Sequence, residues 1–319
     1  TLGQVARLTW QSSADQREIE GWLVTPPQFD ASRQYPLILE IHGGPFTAYG
    51  PNFSVEIQRY AAAGYMVLYA NPRGSTSYGE DFANLIHHAY PGNDYDDLMS
   101  GVDAVLARGN VDPQQLFVTG GSGGGVLTAW IVGKTDRFRA AVVAKPVINW
   151  TSFVLTADMY NFFYRYWFSA PPWEAQDEYW RRSPLSLVGN VKTPTMLLTG
   201  EADFRTPIGE AEQFYQALKL RDVPTLMVRL PQASHGMTGR PRRIDRAYEG
   251  RATYGTLLRG GTEPDRVCLG AARRACPSLH RARIFLRRRG WIATGKGARP
   301  AQAAAPSTGS ARPLSNIPG

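Results

Sequence analysis

The chain contains 319 residues, of which 43% are hydrophobic and 19% charged, and this length accommodates one large α/β domain with an appendage. It has no run of 18 apolar residues and no basic leader, which favours a soluble chain, cytoplasmic or periplasmic. The net charge of +8 comes from the C-terminal segment. Residues 240–319 carry 17 basic and 4 acidic side chains, whereas residues 1–239 carry 18 and 23.

Strand-like and helix-like segments alternate through the first part of the chain. Residues 19–24 predict an antiparallel strand in a hairpin at the edge of the sheet. Residues 36–41 and 65–70 predict buried strands separated by a helix over 54–63. Apolar residues at helical spacing predict a further helix over 94–107. Such alternation is typical of a mostly parallel, doubly wound sheet with helices on both faces.

A glycine-rich turn at residues 120–125 carries the most specific signal. It has the pattern G-x-S-x-G around Ser122, follows the apolar run 116–119 and precedes the apolar run 126–132. This strand–turn–helix context is that of a nucleophile elbow, where crowding admits only glycine beside the serine. A phosphate-binding turn is the alternative, but no Lys-Ser/Thr pair follows and the glycines do not fit G-x-G-x-x-G. The turn therefore favours an acyl-transferring hydrolase.

A second glycine-rich loop follows the strand at 36–41. The sequence from His42 to Phe46 resembles the His-Gly-Gly loop that supplies an oxyanion N–H, with Gly44 as donor and Gly123 as the second donor. A plain Gly-Pro turn closing a strand is the alternative. The position of the loop from His42 to Phe46, before the strand that leads to Ser122, favours the oxyanion interpretation.

The acid and the base are expected after two later strands. Asp203 follows the apolar run 195–200, at the carboxyl end of a strand, where open α/β sheets place their active sites. Glu201 is the second candidate for the orienting acid. His235 follows the run 225–230, so the order Ser, Asp, His is that of α/β hydrolases. The other histidines precede the serine or lie in the C-terminal segment: His42, His87, His88 and His280.

Several motifs in one order resemble the catalytic domain of the prolyl oligopeptidase family, in its acylaminoacyl-peptidase and dipeptidyl-peptidase-like branch. They are residues 42–45, 71–75, 78–79, 120–125, 183–185, 203–207 and 234–236. The resemblance covers roughly residues 1–239 and implies an α/β-hydrolase fold and a serine peptidase. Ser122 would be the nucleophile, His235 the general base and Asp203 its orienting acid.

The resemblance also implies a substrate-binding role for Arg205, which would hold a backbone carbonyl near the scissile bond through its planar guanidinium. An ion pair with a nearby acid such as Glu201 is the alternative. The sequence departs from the family at Gly123, where an aromatic residue is usual. We expect the third consecutive glycine to loosen the elbow and to reduce activity.

Family members generally carry a β-propeller before this domain, and no blade repeat is visible in this sequence. The expectation is an isolated catalytic domain or a truncated gene product, with the choice among aminopeptidase, dipeptidyl peptidase and endopeptidase left open. Twelve aromatic residues between 147 and 190 predict a helical subdomain with its own core. Trp150, Phe153 and, from the oxyanion loop, Phe46 are the candidates for an apolar specificity pocket.

Residues 240–319 differ in composition, with many Arg, Ala, Gly and Pro residues and weak periodicity. We expect this tail to be disordered or to result from a frame change near residue 241. Cys268 and Cys276, the two cysteines, both lie in it, and no zinc-type spacing occurs. No metal or cofactor is expected, and nucleic acid would bind only non-specifically, through the tail.

Two functions share the predicted triad, and a third does not need it. The leading prediction is hydrolysis of short peptides, and its rival is a carboxylesterase acting on acyl esters by the same steps. The third is a weakly active domain whose basic tail binds anionic partners.

Overall fold

In the computed structural model, which describes residues 2–237, eight strands form one sheet in the order β1-β2-β4-β3-β5-β6-β7-β8. Strands β1 and β2 are antiparallel, β2 is antiparallel to β4, and all further pairs are parallel. The strands are β1 (Val5–Gln11), β2 (Glu18–Val24), β3 (Tyr35–Ile41), β4 (Met66–Asn71), β5 (Val111–Gly121), β6 (Ala140–Ala144), β7 (Thr195–Gly200) and β8 (Thr225–Leu230).

Helices connect the strands and cover both faces of the sheet. They are α1 (Val55–Ala62), α2 (Glu80–Asn84), α3 (Asp94–Leu106), α4 (Gly123–Lys134), α5 (Trp150–Thr156), α6 (Tyr160–Trp167), α7 (Gln176–Arg182) and α8 (Ile208–Leu220), with a 3₁₀ helix at Pro184–Asn190. Side chains of α1 pack into the apolar core on one face. Those of α3, α4 and α8 pack into the larger core on the other.

The apolar patterning of the sequence explains this layering. All six residues of β4 are buried, as expected of an inner strand covered on both faces. Helix α4 is buried along almost its whole length, because it packs against the sheet on one side and the 3₁₀ helix on the other. Helix α1 begins after Ser54, whose side chain accepts a hydrogen bond from the Ile57 N–H.

The strand order and directions confirm the predicted α/β-hydrolase fold. One boundary differs, because β5 begins at Val111 and not at residue 116. Val111 pairs with Tyr35, and the ladder resumes at Leu37 and Leu116 after a register shift. The predicted tail, residues 240–319, lies outside the described residues. Within residues 2–237, no helix has the length and apolar character required to cross a membrane.

Candidate active site

The parallel strands bring the predicted site residues to one end of the sheet. The loop from His42 follows β3, Ser122 follows β5, Asp203 follows β7 and His235 follows β8. Since the carboxyl ends of parallel strands share one edge of the layer, these loops converge although they are far apart in sequence.

Ser122 lies in a strained turn between β5 and α4, with φ +60° and ψ −120°. Two flanking glycines are required by close approach. A Cβ on Gly120 would lie 2.6 Å from the Gly124 backbone, and one on Gly124 would lie 2.1 Å from the Ile41 carbonyl oxygen. The turn thus presents the serine on a rigid, tightly packed backbone.

Ser122, His235 and Asp203 form a continuous hydrogen-bonded chain. The Ser122 Oγ lies 3.0 Å from His235 Nε2, and His235 Nδ1 lies 2.9 and 3.1 Å from the two carboxylate oxygens of Asp203. An ionised carboxylate only accepts, so Nδ1 carries the proton and donates to it. The neutral imidazole then accepts the Ser122 hydroxyl proton at Nε2, as a general base must.

Asp203 is held ionised by its neighbours although it is buried. Burial opposes ionisation, but hydrogen bonds from His235 and Thr206 outweigh it, and the pKa of the Asp203 carboxyl falls below its usual value. The backbone N–H groups of Arg205 and Thr206 both donate to Oδ1, and the Thr206 hydroxyl donates to Oδ2. The carboxylate is therefore fixed in position and charge.

The predicted oxyanion donors lie on adjoining backbone segments. Gly44 has φ +110°, in the region that favours glycine, and a Cβ on Gly123 would lie 3.2 Å from the Gly44 nitrogen. Gly123 is the first residue of α4, so its N–H has no intrahelical partner. His42 is buried behind this loop with Nε2 3.0 Å from the Ser75 Oγ, and burial lowers its pKa.

Arg205 lies beside the triad and forms an ion pair, but not with the acid expected from the sequence. Its Nε lies 2.7 Å from Oδ1 of Asp158, in the loop between α5 and α6. Glu201, the acid named in the alternative interpretation, is paired with Arg229 instead, so Arg205 forms an ion pair with a different acid. Glu201 is also exposed, and the fallback role as orienting acid has no support from its contacts.

The three aromatic candidates belong to one cluster of rings around Trp167. Phe46 contacts Trp167 at 6.3 Å between ring centroids, Trp150 stacks on the same ring at 6.1 Å, and Phe153 packs edge-on against Trp150. Trp150 and Phe153 are each only 2% exposed, whereas Phe46 is half-buried. The first two therefore form the base of the cluster, and Phe46 is the ring that retains accessible surface.

Three residues that the sequence analysis did not identify also contact the site. Thr206 completes the hydrogen bonding of Asp203, and its spacing of three residues after the acid is a recognisable side-chain-to-backbone turn signal. The Tyr90 hydroxyl donates to the Gly123 carbonyl oxygen at 2.9 Å, and Lys145 Nζ donates to the His235 carbonyl oxygen at 2.8 Å. Neither Tyr90 nor Lys145 belongs to a local motif.

The site contains no metal-type arrangement among the described residues, since nowhere in residues 2–237 do three or more His, Cys, Asp or Glu side chains group as ligands. The polar groups that converge on Ser122 are instead those of acyl transfer: a hydroxyl, an imidazole, a carboxylate and backbone N–H donors.

Comparison with known proteins identifies relatives over most of this chain. A curated relative, the uncharacterized peptidase YuxL of Bacillus subtilis (strain 168), is 47% identical over 227 residues, which are 70% of this chain and 35% of the relative. The acylamino-acid-releasing enzyme of Arabidopsis thaliana is 35% identical over 208 residues, 63% of this chain and 27% of that enzyme. The chain thus spans about a third of the length of these relatives.

Solved structures and a family profile give the same result. Pyrococcus horikoshii acylaminoacyl peptidase, in its orthorhombic crystal form, superposes with a TM-score of 0.75 at 28% identity, covering 80% of this chain and 41% of that one. The profile of the prolyl oligopeptidase family matches residues 51–254, more than half of the sequence. The chain therefore belongs to the prolyl oligopeptidase family.

Proposed function

We propose that this chain is a serine peptidase domain that cleaves short peptides through an acyl-enzyme on Ser122. The observation that supports this most directly is the chain of hydrogen bonds from Ser122 Oγ to His235 Nε2 and from His235 Nδ1 to Asp203. The family membership supports a peptidase in preference to other acyl-transferring hydrolases. The relatives carry names that include peptidases and acylamino-acid-releasing enzymes.

The proposed reaction has two stages. In acylation, the Ser122 Oγ attacks the scissile carbonyl carbon while His235 Nε2 takes the hydroxyl proton, and His235 then gives that proton to the leaving amine. In deacylation, water attacks the ester, His235 accepts a proton from the water, and that proton returns to Ser122 as the acid product departs. Asp203 fixes the imidazole tautomer and stabilises the imidazolium formed in each stage.

The backbone N–H groups of Gly44 and Gly123 are the proposed donors to the oxyanion of both tetrahedral intermediates. The Gly123 N–H lies at the N-terminus of α4, where the helix dipole favours negative charge. Arg205, held by Asp158 and partly exposed, is the proposed donor to a substrate backbone carbonyl. The half-buried ring of Phe46 provides apolar surface for a substrate side chain beside the serine.

The first experiment is labelling with a fluorophosphonate probe followed by mass spectrometry of the adduct. We expect one adduct, on Ser122, and none in Ser122→Ala. Ser32→Ala, which removes an exposed hydroxyl far from the triad in sequence, is the matched control and should label as wild type does. A folded wild-type protein that does not label would refute the proposal.

Substrate class is tested next with matched amide and ester derivatives of one short acyl-peptide. A peptidase should cleave the amide with saturable kinetics that the fluorophosphonate abolishes. Turnover of the ester alone would replace the peptidase proposal with a carboxylesterase, because esters need less leaving-group assistance than amides.

A further inference from the structure

Lys145 is the first residue after β6, the strand between those that carry Ser122 and Asp203. Its backbone has φ +40°, in the left-handed region where glycine is the unstrained residue. Its N–H still donates to the Leu198 carbonyl oxygen in β7, at 2.6 Å. A lysine kept in this conformation indicates a role for the side chain.

The Lys145 side chain runs from the middle of the sheet to the loop that carries the base. The place that a Cβ on Gly121 would occupy lies 3.1 Å from Lys145 Cε, so the absent side chain of Gly121 leaves room for the lysine. The ammonium group then donates to the His235 carbonyl oxygen at 2.8 Å, and the residue is only partly exposed. A hydrogen bond from an ionised donor is stronger than a neutral one, especially away from bulk water.

Two consecutive residues thus contact the backbones of both reacting partners. The Ala144 carbonyl oxygen accepts the Ser122 N–H at 3.0 Å, and the next residue, Lys145, donates to His235. The end of β6 is therefore hydrogen-bonded to the backbones of both Ser122 and His235. Within residues 2–237, the other backbone hydrogen bonds of this loop are internal or join it to Leu230 at the end of β8 and to Ala202 in the loop after β7.

We propose that Lys145 is a positioning residue that sets the Ser122–His235 separation by holding the His235 backbone against the end of β6. This inference rests on the proposed function of the triad. It goes beyond that proposal, because it assigns the alignment of the base to a charged side chain on the strand between the nucleophile and the acid.

The test compares Lys145→Met, which keeps the length and removes the charged donor, with Lys145→Arg, which keeps a charged donor. We expect Lys145→Met to lower kcat per titrated active site by about tenfold to a hundredfold, as for a small misplacement of catalytic groups, with KM within about twofold. Lys145→Arg should recover most of that loss. Lys192→Met, which removes an exposed lysine paired with Asp136, should leave kcat unchanged.

A second measurement reports the geometry around His235 without any substrate turnover. The proton between His235 Nδ1 and Asp203 gives a low-field proton resonance in such a pair, and we expect it to shift or broaden in Lys145→Met and to return in Lys145→Arg. An unchanged kcat and resonance in Lys145→Met would overturn the inference. A lower melting temperature with unchanged kcat per titrated site would overturn it as well, by showing a purely structural role.

Failure of the proposed function gives a different result. If wild-type protein does not label at Ser122, the peptidase proposal fails, whereas the resonance still reports whether Lys145 holds His235 in place. If wild type labels and Lys145→Met labels at the same rate, only the inference about Lys145 fails.

Discussion

Gly123 determines how closely the elbow approaches the oxyanion loop. A Cβ at this position would lie 3.0 Å from the carbonyl carbon of Gly44 and 3.2 Å from its nitrogen, which is closer than most real contacts of this kind. A side chain would stiffen the elbow, since glycine is the most flexible residue, but it would also displace the Gly44 backbone. These neighbours are backbone atoms, which yield less readily than the end of a side chain, so we expect the displacement to dominate.

The corresponding prediction is that Gly123→Ala lowers kcat by about three- to tenfold with little change in KM, because the proposed oxyanion donor Gly44 would matter more in the transition state than in the ground state. The matched control is Gly209→Ala in α8, where an added Cβ meets nothing within 4 Å. That variant should keep wild-type kcat and gain about 0.5 kcal/mol in unfolding free energy. A higher kcat in Gly123→Ala would show that elbow flexibility limits the wild-type protein.

At the residue scale, the triad positions were predictable and their supports were not. Ser122, Asp203 and His235 each stand just after an apolar strand, in an order that the sequence displays directly. Lys145 and Tyr90 reach the site only through three-dimensional packing, over separations of 90 and 33 residues, and no local pattern encodes such a contact.

At the scale of elements, the start of α3 contains a buried acid outside the triad. Asp94, the first residue of α3, is fully buried, and its Oδ2 has no hydrogen-bond partner among residues 2–237. Burial raises the pKa of the Asp94 carboxyl from 3.8 to about 7, and the nearby Asp97 adds to the increase. The N–H groups of Gly92 and Tyr95 donate to Oδ1 but do not offset the burial.

This shift predicts a loss of stability as the pH rises. The folded protein holds a proton that the unfolded chain releases near pH 3.8, so the contribution of Asp94 is full below that pH and is lost as the pH rises through about 7. Asp94→Asn cannot titrate and keeps an acceptor for both N–H groups. Between pH 5 and 7, wild type should lose up to about 1.4 kcal/mol per pH unit relative to the variant.

Urea unfolding of both proteins across this range measures the difference. Parallel stability curves would contradict the prediction by showing that Asp94 does not titrate there. Because the comparison is between two proteins with the same remaining carboxyl groups, titration of other buried acids such as Glu210 cancels.

The elements themselves were predicted with unequal success. The strands β7 and β8 begin and end where their apolar runs do, because central and edge strands here are short and bounded by polar turns. The region between β6 and β7 was predicted as a helical subdomain with its own core. Its helices α5, α6 and α7 are present, but their buried rings belong to the same apolar core as the sheet, so the separate core was wrong. Which of its rings would be buried was not predictable, since Trp167 is 3% exposed and Trp173 72% exposed in similar sequence surroundings.

At the scale of the whole molecule, the strands of the sheet differ in how many neighbouring strands they pair with and in how deeply they are buried. The elbow strand β5 has parallel neighbours on both sides, β3 and β6. By contrast, β8 pairs with β7 alone within residues 2–237, and four of its six residues are only partly buried. His235, the proposed base, follows this partly exposed strand. Local opening is favoured where few buried contacts hold an element.

We therefore expect urea to abolish fluorophosphonate labelling of Ser122 at a lower concentration than that which unfolds the sheet, measured by far-UV circular dichroism on the same samples. Coincident transitions would show that β8 opens only with the rest of the domain. When the urea is removed before the probe is added, labelling of Ser122 should recover over the same urea range in which it was lost.

The position of His235 after β8, the last strand of the sheet within residues 2–237, affects what activity measurements report. Detachment of one strand is enough to disconnect the base, while the nucleophile stays in its turn and most of the core stays packed. Such a sample would be compact, would keep its helical circular dichroism signal and would still not turn over substrate. We therefore expect the fraction of active molecules to follow the docking equilibrium of β8 and to differ from the fraction folded.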